Sequence, residues 1–331
     1  MAITLAQVAK LETEPLRKGI IMNLLRYAPI MAKWPFENVD SLTSVAIRAT
    51  NLPSVAFRRI NEGYTASEGD FEQVWESVYG FGGEIEFDRV FEKIGNVIIK
   101  PRVAQTRLKL RSMAITFSKY VVQGDHATDE DGFEGLKKRI ASMPSRQSVY
   151  AAGSSSAALD PTASAANARA FIDKWEQAMY RANNGMVSKI LMNEGTYWGF
   201  GRVQRYLGVS GGPLFDVTRD AFDREILTYK GAEFYDMGLD TDQSSEIISS
   251  TETAGDAGTD ATSAYFVSHD MEQGLMGIQL SPMEVYDPLS GGERESKPTK
   301  LLRIDWWVGL AGFGSYGVTR LRNFEDAANW T

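Results

Sequence analysis

The chain has 331 residues, with 35 Lys+Arg against 43 Asp+Glu and a formal net charge of −8. Apolar residues at 43% suffice for a real core, in one large domain or two ordinary ones. Cysteine is absent and His126 and His269 are the only histidines, so disulfide scaffolds, Cys-ligated zinc, iron–sulfur clusters, thiol nucleophiles and His-rich metal sites are excluded, and no cofactor is expected.

Leu5 to Leu25 is amphipathic and helix-prone, although Pro15 and Gly19 interrupt it; Pro29 and Pro35 then favour an extended arm. Val45–Arg59 and Gln73–Phe91 are rich in β-branched and aromatic residues and alternate as half-buried strands do. With INEGYTASEGD (60–70) between them, they predict one long hairpin. Such a hairpin cannot bury both of its faces on its own chain, which points to cover from another chain.

Lys100–Gln123 is the clearest helix. Pro101 suits a first turn, and Val103, Leu110, Met113, Phe117, Tyr120 and Val121 form an apolar stripe opposite Lys100, Arg107, Arg111 and Lys119. Gly124–Asp125 stops it, and GFEGLKKRIA follows as a short amphipathic piece. Tyr150–Asn167 is Ala/Ser/Gly-rich and predicts a flexible connector. Ala168–Arg181 predicts a second helix, with Phe171, Ile172, Trp175 and Met179 on one side and Asn183–Asn184–Gly185 as its cap. Met186–Met192 predicts a short buried strand, and the Ser/Thr/Asp/Gly-rich stretch Thr241–Ser263 a mobile loop. Ala264–Val267, Gly277–Leu280 and Leu301–Leu310 predict strands that close the fold.

Charge is unevenly spread. Gly231–Glu293 holds 13 acidic residues and no Lys or Arg, whereas Lys93–Lys119 holds seven basic residues and no acid. A one-signed block is usually a solvated face, but this asymmetry predicts two regions with different neighbours. The overall acidic balance argues against a dedicated nucleic-acid binder. No apolar run approaches the ~20 residues that span a bilayer, and the first residues lack the pattern of a signal peptide.

Enzyme-like motifs fail on their context. Gly312, Gly314 and Gly317 match G-x-G-x-x-G after a strand, but the crossover helix, next strand and distant acid of a dinucleotide site do not follow. Gly208-Val-Ser210-Gly-Gly212 matches a nucleophile elbow, with His269 downstream in hydrolase order. Gly211-Gly212-Pro213 is a poor helix start, however, and no oxyanion segment precedes it, so a serine hydrolase built on Ser210 and His269 is the weak enzyme alternative. Asp240, Asp242, Ser244 and Glu246 faintly resemble a calcium loop that lacks its sixth-position glycine and has Thr251 at the twelfth position. His126 sits in an acidic loop as a surface residue.

Taken in order, the segments resemble the major capsid proteins of tailed bacteriophages, the α+β Hong Kong 97-type capsid fold shared with encapsulins. LLRYAPIMAKWPFENVD (24–40) looks like the family's N-terminal arm, and the hairpin like the extended loop that reaches over a neighbouring subunit. KPRVAQTRLKLRSMAITFSKYVVQGD (100–125), with GFEGLKKRI after it, looks like the spine helix and the elements that follow. FDREILTYKGAEFYDMG (222–238) looks like the entry to the axial domain, and 262–279 with 300–324 like the closing strands.

The resemblance implies an arm over 1–45, the extended loop over 46–92 and a peripheral domain over 93–208 with its spine helix at 100–123. It further implies an axial domain over 209–280 carrying the acidic loop 241–263, and closing strands over 281–331. The implied work is assembly rather than catalysis: pentamers and hexamers of this chain form an icosahedral shell around double-stranded DNA, held without sequence-specific contacts. Implied partners are other copies of the chain, a scaffolding protein, a portal at one vertex and a decoration protein. The implied location is the virion, after assembly in the host cytoplasm. An encapsulin-like compartment is the alternative within the fold.

Some relatives weld subunits through a loop lysine; no lysine lies between Lys33 and Lys93 here, so no such cross-link is expected. Arm-like residues begin within about 25 of Met1, which predicts a separate scaffold and an uncut chain. Arg58, Arg59, Trp75, Tyr79 and Phe81 are the inter-subunit contact candidates, because aromatic and arginine anchors dominate interfaces.

Overall fold

The computed structural model describes residues 3–4, 22, 29–88, 90, 101–154, 156–207, 216–219, 225–253, 260–270, 273–289, 292–294, 296–312 and 314–327. The helix expected over Leu5–Leu25 and the elbow serine Ser210 lie outside these residues.

In chain order the elements are β1 (Ile3–Thr4), α1 (Pro29–Lys33), β2 (Pro35–Asn38), β3 (Thr43–Asn51), β4 (Asp70–Ser77) and β5 (Tyr79–Asp88). Then come α2 (Pro101–Gln123), α3 (Leu136–Ser142), β6 (Ser148–Tyr150), α4 (Ala165–Arg181), β7 (Lys189–Met192) and α5 (Glu194–Leu207). The chain finishes with β8 (Asp216–Arg219), β9 (Glu225–Tyr229), β10 (Ala232–Asp236), β11 (Ala261–Val267), β12 (Leu275–Gln279), β13 (Glu284–Tyr286), β14 (Thr299–Gly312) and β15 (Val318–Glu325).

One sheet runs β1-β2-β12-β14-β13, with β5 on the free side of β14 in a ten-residue antiparallel register from Tyr79↔Val308 to Asp88↔Thr299. The apolar stripe of α2 covers it: Leu110, Met113, Phe117 and Val121 are buried, and the Phe117 ring meets Trp306 at 5.4 Å and Phe133 at 5.9 Å. The arm joins the same core through β2. Phe36 packs over Gly277 of β12, where any Cβ would overlap its ring.

A second, seven-stranded sheet runs β6-β15-β11-β7-β10-β9-β8. Helices α4 and α5 pack against it around Phe171, Trp175, Phe200, Phe234 and Phe266. Strand β11 is buried along its whole length, and its alternation serves both cores: Tyr265 and Val267 join the spine-helix core, Ala264 and Phe266 the other.

The structure redraws several expectations. The predicted strand Gln73–Phe91 is two strands, because the chain leaves the hairpin at Val78 and continues as β5 on β14. The buried residues of the expected peripheral segment 93–208 divide between two cores: those from Val149 to Val203, Leu191 excepted, lie in the second core with Tyr229, Phe234 and Phe324. Helix α4 begins three residues early, at a Ser164 hydroxyl that accepts the Asn167 amide, and ends where Asn183, Asn184 and Gly185 all take positive φ. Helix α5 had no sequence signal, since Gly195, Gly199 and Gly201 mask its periodicity. Its first turn is fixed by Asn193, whose side-chain oxygen accepts the Thr196 amide.

The acidic stretch is not a free loop over 240–252. Ile247 and Ile248 are buried, Lys119 reaches Asp240 at 2.5 Å, and the Gln123 amide donates to the Ile247 carbonyl. The apolar pair pins the segment onto the end of α2. The Asp242 carboxylate accepts the Ser244 and Ser245 amides at 2.9 Å and the Ser245 hydroxyl, which holds its pKa far below the usual carboxylate range.

Candidate inter-subunit surface

Strands β3 and β4 form a two-stranded ribbon of their own, paired from Thr43↔Ser77 to Asn51↔Asp70, with 52–69 as its tip. Cross-strand partners share a face, so Val45 with Trp75, and Ile47 with Gln73, lie on one side, together with Phe71. Trp75 is 63% exposed, Ile47 70% and Phe71 75%. The tip is barer still, with Leu52, Val55, Phe57, Ile60 and Tyr64 exposed. This contiguous apolar strip is the sort of surface that marks an interaction site.

The opposite face of the ribbon's base is anchored. Glu76 forms a buried fork-to-fork pair with Arg139 of α3 (2.5 and 2.8 Å), and the same guanidinium donates to the carbonyls of Leu310 and Glu134. The Gly312 amide donates to Glu76 at 3.1 Å. One side of β4 is therefore fixed to the core while Trp75, its neighbour in sequence, faces away.

The five contact candidates divide accordingly. Arg58 and Arg59 are exposed at the tip, where Arg58 donates to the Glu62 carbonyl and stacks over Tyr64 at 5.1 Å. Trp75 is exposed on the ribbon. Tyr79 and Phe81 are half-buried on β5 and pack against the spine-helix core, with Phe81 6.1 Å from Phe117 and Tyr79 5.6 Å from His126. The exposed apolar residues of the tip, Leu52 to Tyr64, are not among the five candidates; their signal in sequence is the density of large side chains in a segment with no strand partner.

The enzyme alternative loses its base. His269 is half-buried, edge-on against Trp34, with ring centroids 4.5 Å apart. Its Nδ1 is engaged by the Leu275 carbonyl at 2.8 Å and its Nε2 is buried without a partner. Burial, then the nearby Lys189 charge, pulls its pKa down to about 3. Gly314 and Gly317 pack against the backbone of Gln273 and Gly274, in a bend with no room for a nucleotide. Among the described residues no cluster of His, Asp or Glu is arranged to hold a metal ion, and no helix is long and apolar enough to cross a membrane.

Comparison with known proteins agrees with this geometry. Residues 17–179 match the family model "Major capsid protein GP7". The fold is similar to an encapsulin from Synechococcus elongatus PCC 7942, at TM-score 0.57 and 13% identity over 91% of this chain and 89% of that one. It is similar to the capsid of a native GTA particle (0.55, 12%, 91% and 90%) and to the structure from Mycobacterium phage Bobi (0.53, 12%, 96% and 98%). A search of curated proteins found no match. At these identities the structures speak for the fold, and the family model speaks for the role. A capsid-family match over residues 17–179 and a capsid-shell fold along nine-tenths of the chain support a major capsid protein of the tailed-phage type, built on the Hong Kong 97-type fold.

Proposed function

We propose that this protein builds an icosahedral shell from hexamers and pentamers, closed by many copies of weak contacts around double-stranded DNA. The observation that carries this is the ribbon: a two-stranded sheet, marginal by itself in water, held out with an uncovered apolar face. Exposed Arg58, Arg59 and Trp75 are its anchors toward a neighbouring copy. The unit that contains α2 is the peripheral domain, and the seven-stranded sheet with α4 and α5 the axial one. A net charge of −8 keeps packaged DNA from adhering to the wall, so no sequence-specific DNA contact is needed. With no lysine between Lys33 and Lys93, the ribbon forms no lysine cross-link. A separate scaffolding protein, a portal and a decoration protein are the partners the resemblance implies, and the chain's work is structural rather than catalytic.

Electron microscopy and sedimentation of the purified protein, alone and with a co-expressed scaffold-like partner, test this. Closed shells or capsomer rings support it; a monomer or dimer under every condition overturns it. The fold is also that of an encapsulin shell. Particles that hold protein cargo in place of DNA would favour that compartment, whereas the family match favours the virus.

A further inference from the structure

A cavity of about 220 Å³ opens between β5, α2 and the loop before α3, lined by Tyr79, Phe81, Phe117, Tyr120 and Phe133. These rings adjoin one another. Centroids are 6.1 Å apart for Phe81 and Phe117, 5.9 Å for Phe117 and Phe133, and 6.0 Å for Phe133 and Tyr120. The volume lies below the ~300–1,000 Å³ of pockets that take drug-sized ligands, so the cavity suits a small occupant. Its walls are held in place by the chain itself. Gly132 lets the loop close on α2, since a Cβ there would overlap the Tyr120 ring. His126 ties the loop to β5, its Nδ1 donating to the Gly132 carbonyl at 3.1 Å and its ring 5.6 Å from Tyr79.

The lining is negatively charged. Asp129 and Asp131 belong to it, and among the described residues no Lys or Arg does. Asp129 accepts the Tyr120 hydroxyl, whereas Asp131 is exposed and forms no ion pair with another described residue. Basic groups nearby are engaged elsewhere: Lys138 with Asp125 at 3.1 Å, Lys119 with Asp240, and Arg139 with Glu76. Two tyrosines of the lining register this field. The Tyr120 pKa is pushed up to about 12, first by its bond to Asp129, then by burial and by the Asp129 and Asp131 charges. Tyr79 is raised by burial, and further by Glu76 and Glu134.

Such a lining selects among ligands. A hard metal ion would need more oxygen ligands than two carboxylates supply, and a neutral apolar molecule would gain nothing from Asp131. A quaternary ammonium presents its charge through methyl groups, which pack on aromatic faces and need no hydrogen-bond acceptor. Thr116, Tyr120 and Asp129 also line a neighbouring cleft of about 700 Å³ that includes Thr128, Thr241 and Lys137. A polar substituent on the nitrogen can extend into it.

We propose that this cavity binds a small quaternary ammonium ion of the choline class, its methyl groups on the aromatic lining and its charge beside Asp129 and Asp131. The site is complete within one chain, so it stands apart from the capsid reading. A bound cation would tie β5 to α2 and the acidic loop, and so stabilise the folded chain by mass action.

Ligand-observed NMR titration of the purified chain with choline chloride tests this, at ionic strength matched with sodium chloride. The control is dimethylbutanol, in which carbon replaces the charged nitrogen. Choline is expected to bind saturably, about tenfold or more tighter than the control, and to raise the melting temperature. Asp131→Asn and Phe81→Leu are each expected to weaken choline binding by about fivefold or more. Asp131 is exposed, so its variant should melt with the parent when no ligand is present. Choline that does not saturate, a control that binds equally well, or parent-like affinity in both variants overturns the proposal.

Discussion

Glu76 and Arg139 face each other fork to fork across 63 residues, at 2.5 and 2.8 Å, each about one-tenth exposed. Removing one partner from a buried pair strands the other charge. Glu76→Ala is expected to cost about 3–5 kcal/mol in urea unfolding. Replacing both, as Glu76→Leu with Arg139→Met, should recover part of that loss. The remainder belongs to the Leu310 carbonyl and Gly312 amide, which lose their partners. The double variant should also free the base of the ribbon, read as faster proteolysis between 43 and 77.

Trp175 is fully buried, with Phe200, Phe234 and Phe266 each within 6 Å of its ring centroid. Trp175→Ala opens a cavity that the seven-stranded sheet and α5 cannot both close. A loss of about 3–5 kcal/mol is expected, measured as a fall in the denaturation midpoint.

Trp75 is the opposite case. Its ring lies on the exposed face beside Val45, so Trp75→Ser should cost the isolated subunit less than about 1 kcal/mol. Shell yield should nevertheless fall, because an interface anchor is gone. Unchanged yield, counted by sedimentation, would remove Trp75 from the contact surface.

His269 makes stability depend on acid. Its pKa lies at about 3 in the fold, depressed from 6.5, chiefly by burial. The neutral ring is therefore favoured by the folded state, and its contribution is complete above pH 6.5. It is lost as pH falls from 6.5 toward 3, because the unfolded chain takes up the proton first. By pH 4.5 the loss is on the order of 2–3 kcal/mol. His269→Phe, which keeps a ring against Trp34, should flatten that part of the pH profile of urea unfolding. Parallel profiles for parent and variant would contradict this account.

The secondary structure with strong local signals was legible in sequence. The apolar stripe from Leu110 to Val121 requires one covered face, and the Asn183–Gly185 turn requires residues that tolerate positive φ. The wrongly drawn elements are those where distant residues outweigh local ones. Val78 reads as strand interior, yet the chain changes sheets there, because β14 supplies ten partners to the residues that follow. The acidic stretch has a disordered composition, yet Ile247 and Ile248 find a buried place at the end of α2.

The contact surface follows the same division. Sequence alone determined that the Val45–Phe91 region carries more apolar surface than a lone hairpin can bury, and, from the absence of cysteine, that no thiol chemistry competes with an assembly role. It did not determine which candidates face outward. Trp75 and Phe81 have the same residue character and near-identical positions, but one lies on a free ribbon and the other on a strand packed against Phe117. That choice belongs to tertiary structure, because the face a strand residue shows to solvent depends on what its sheet packs against, and Glu76, Arg139 and β14 settle it from far away in the chain.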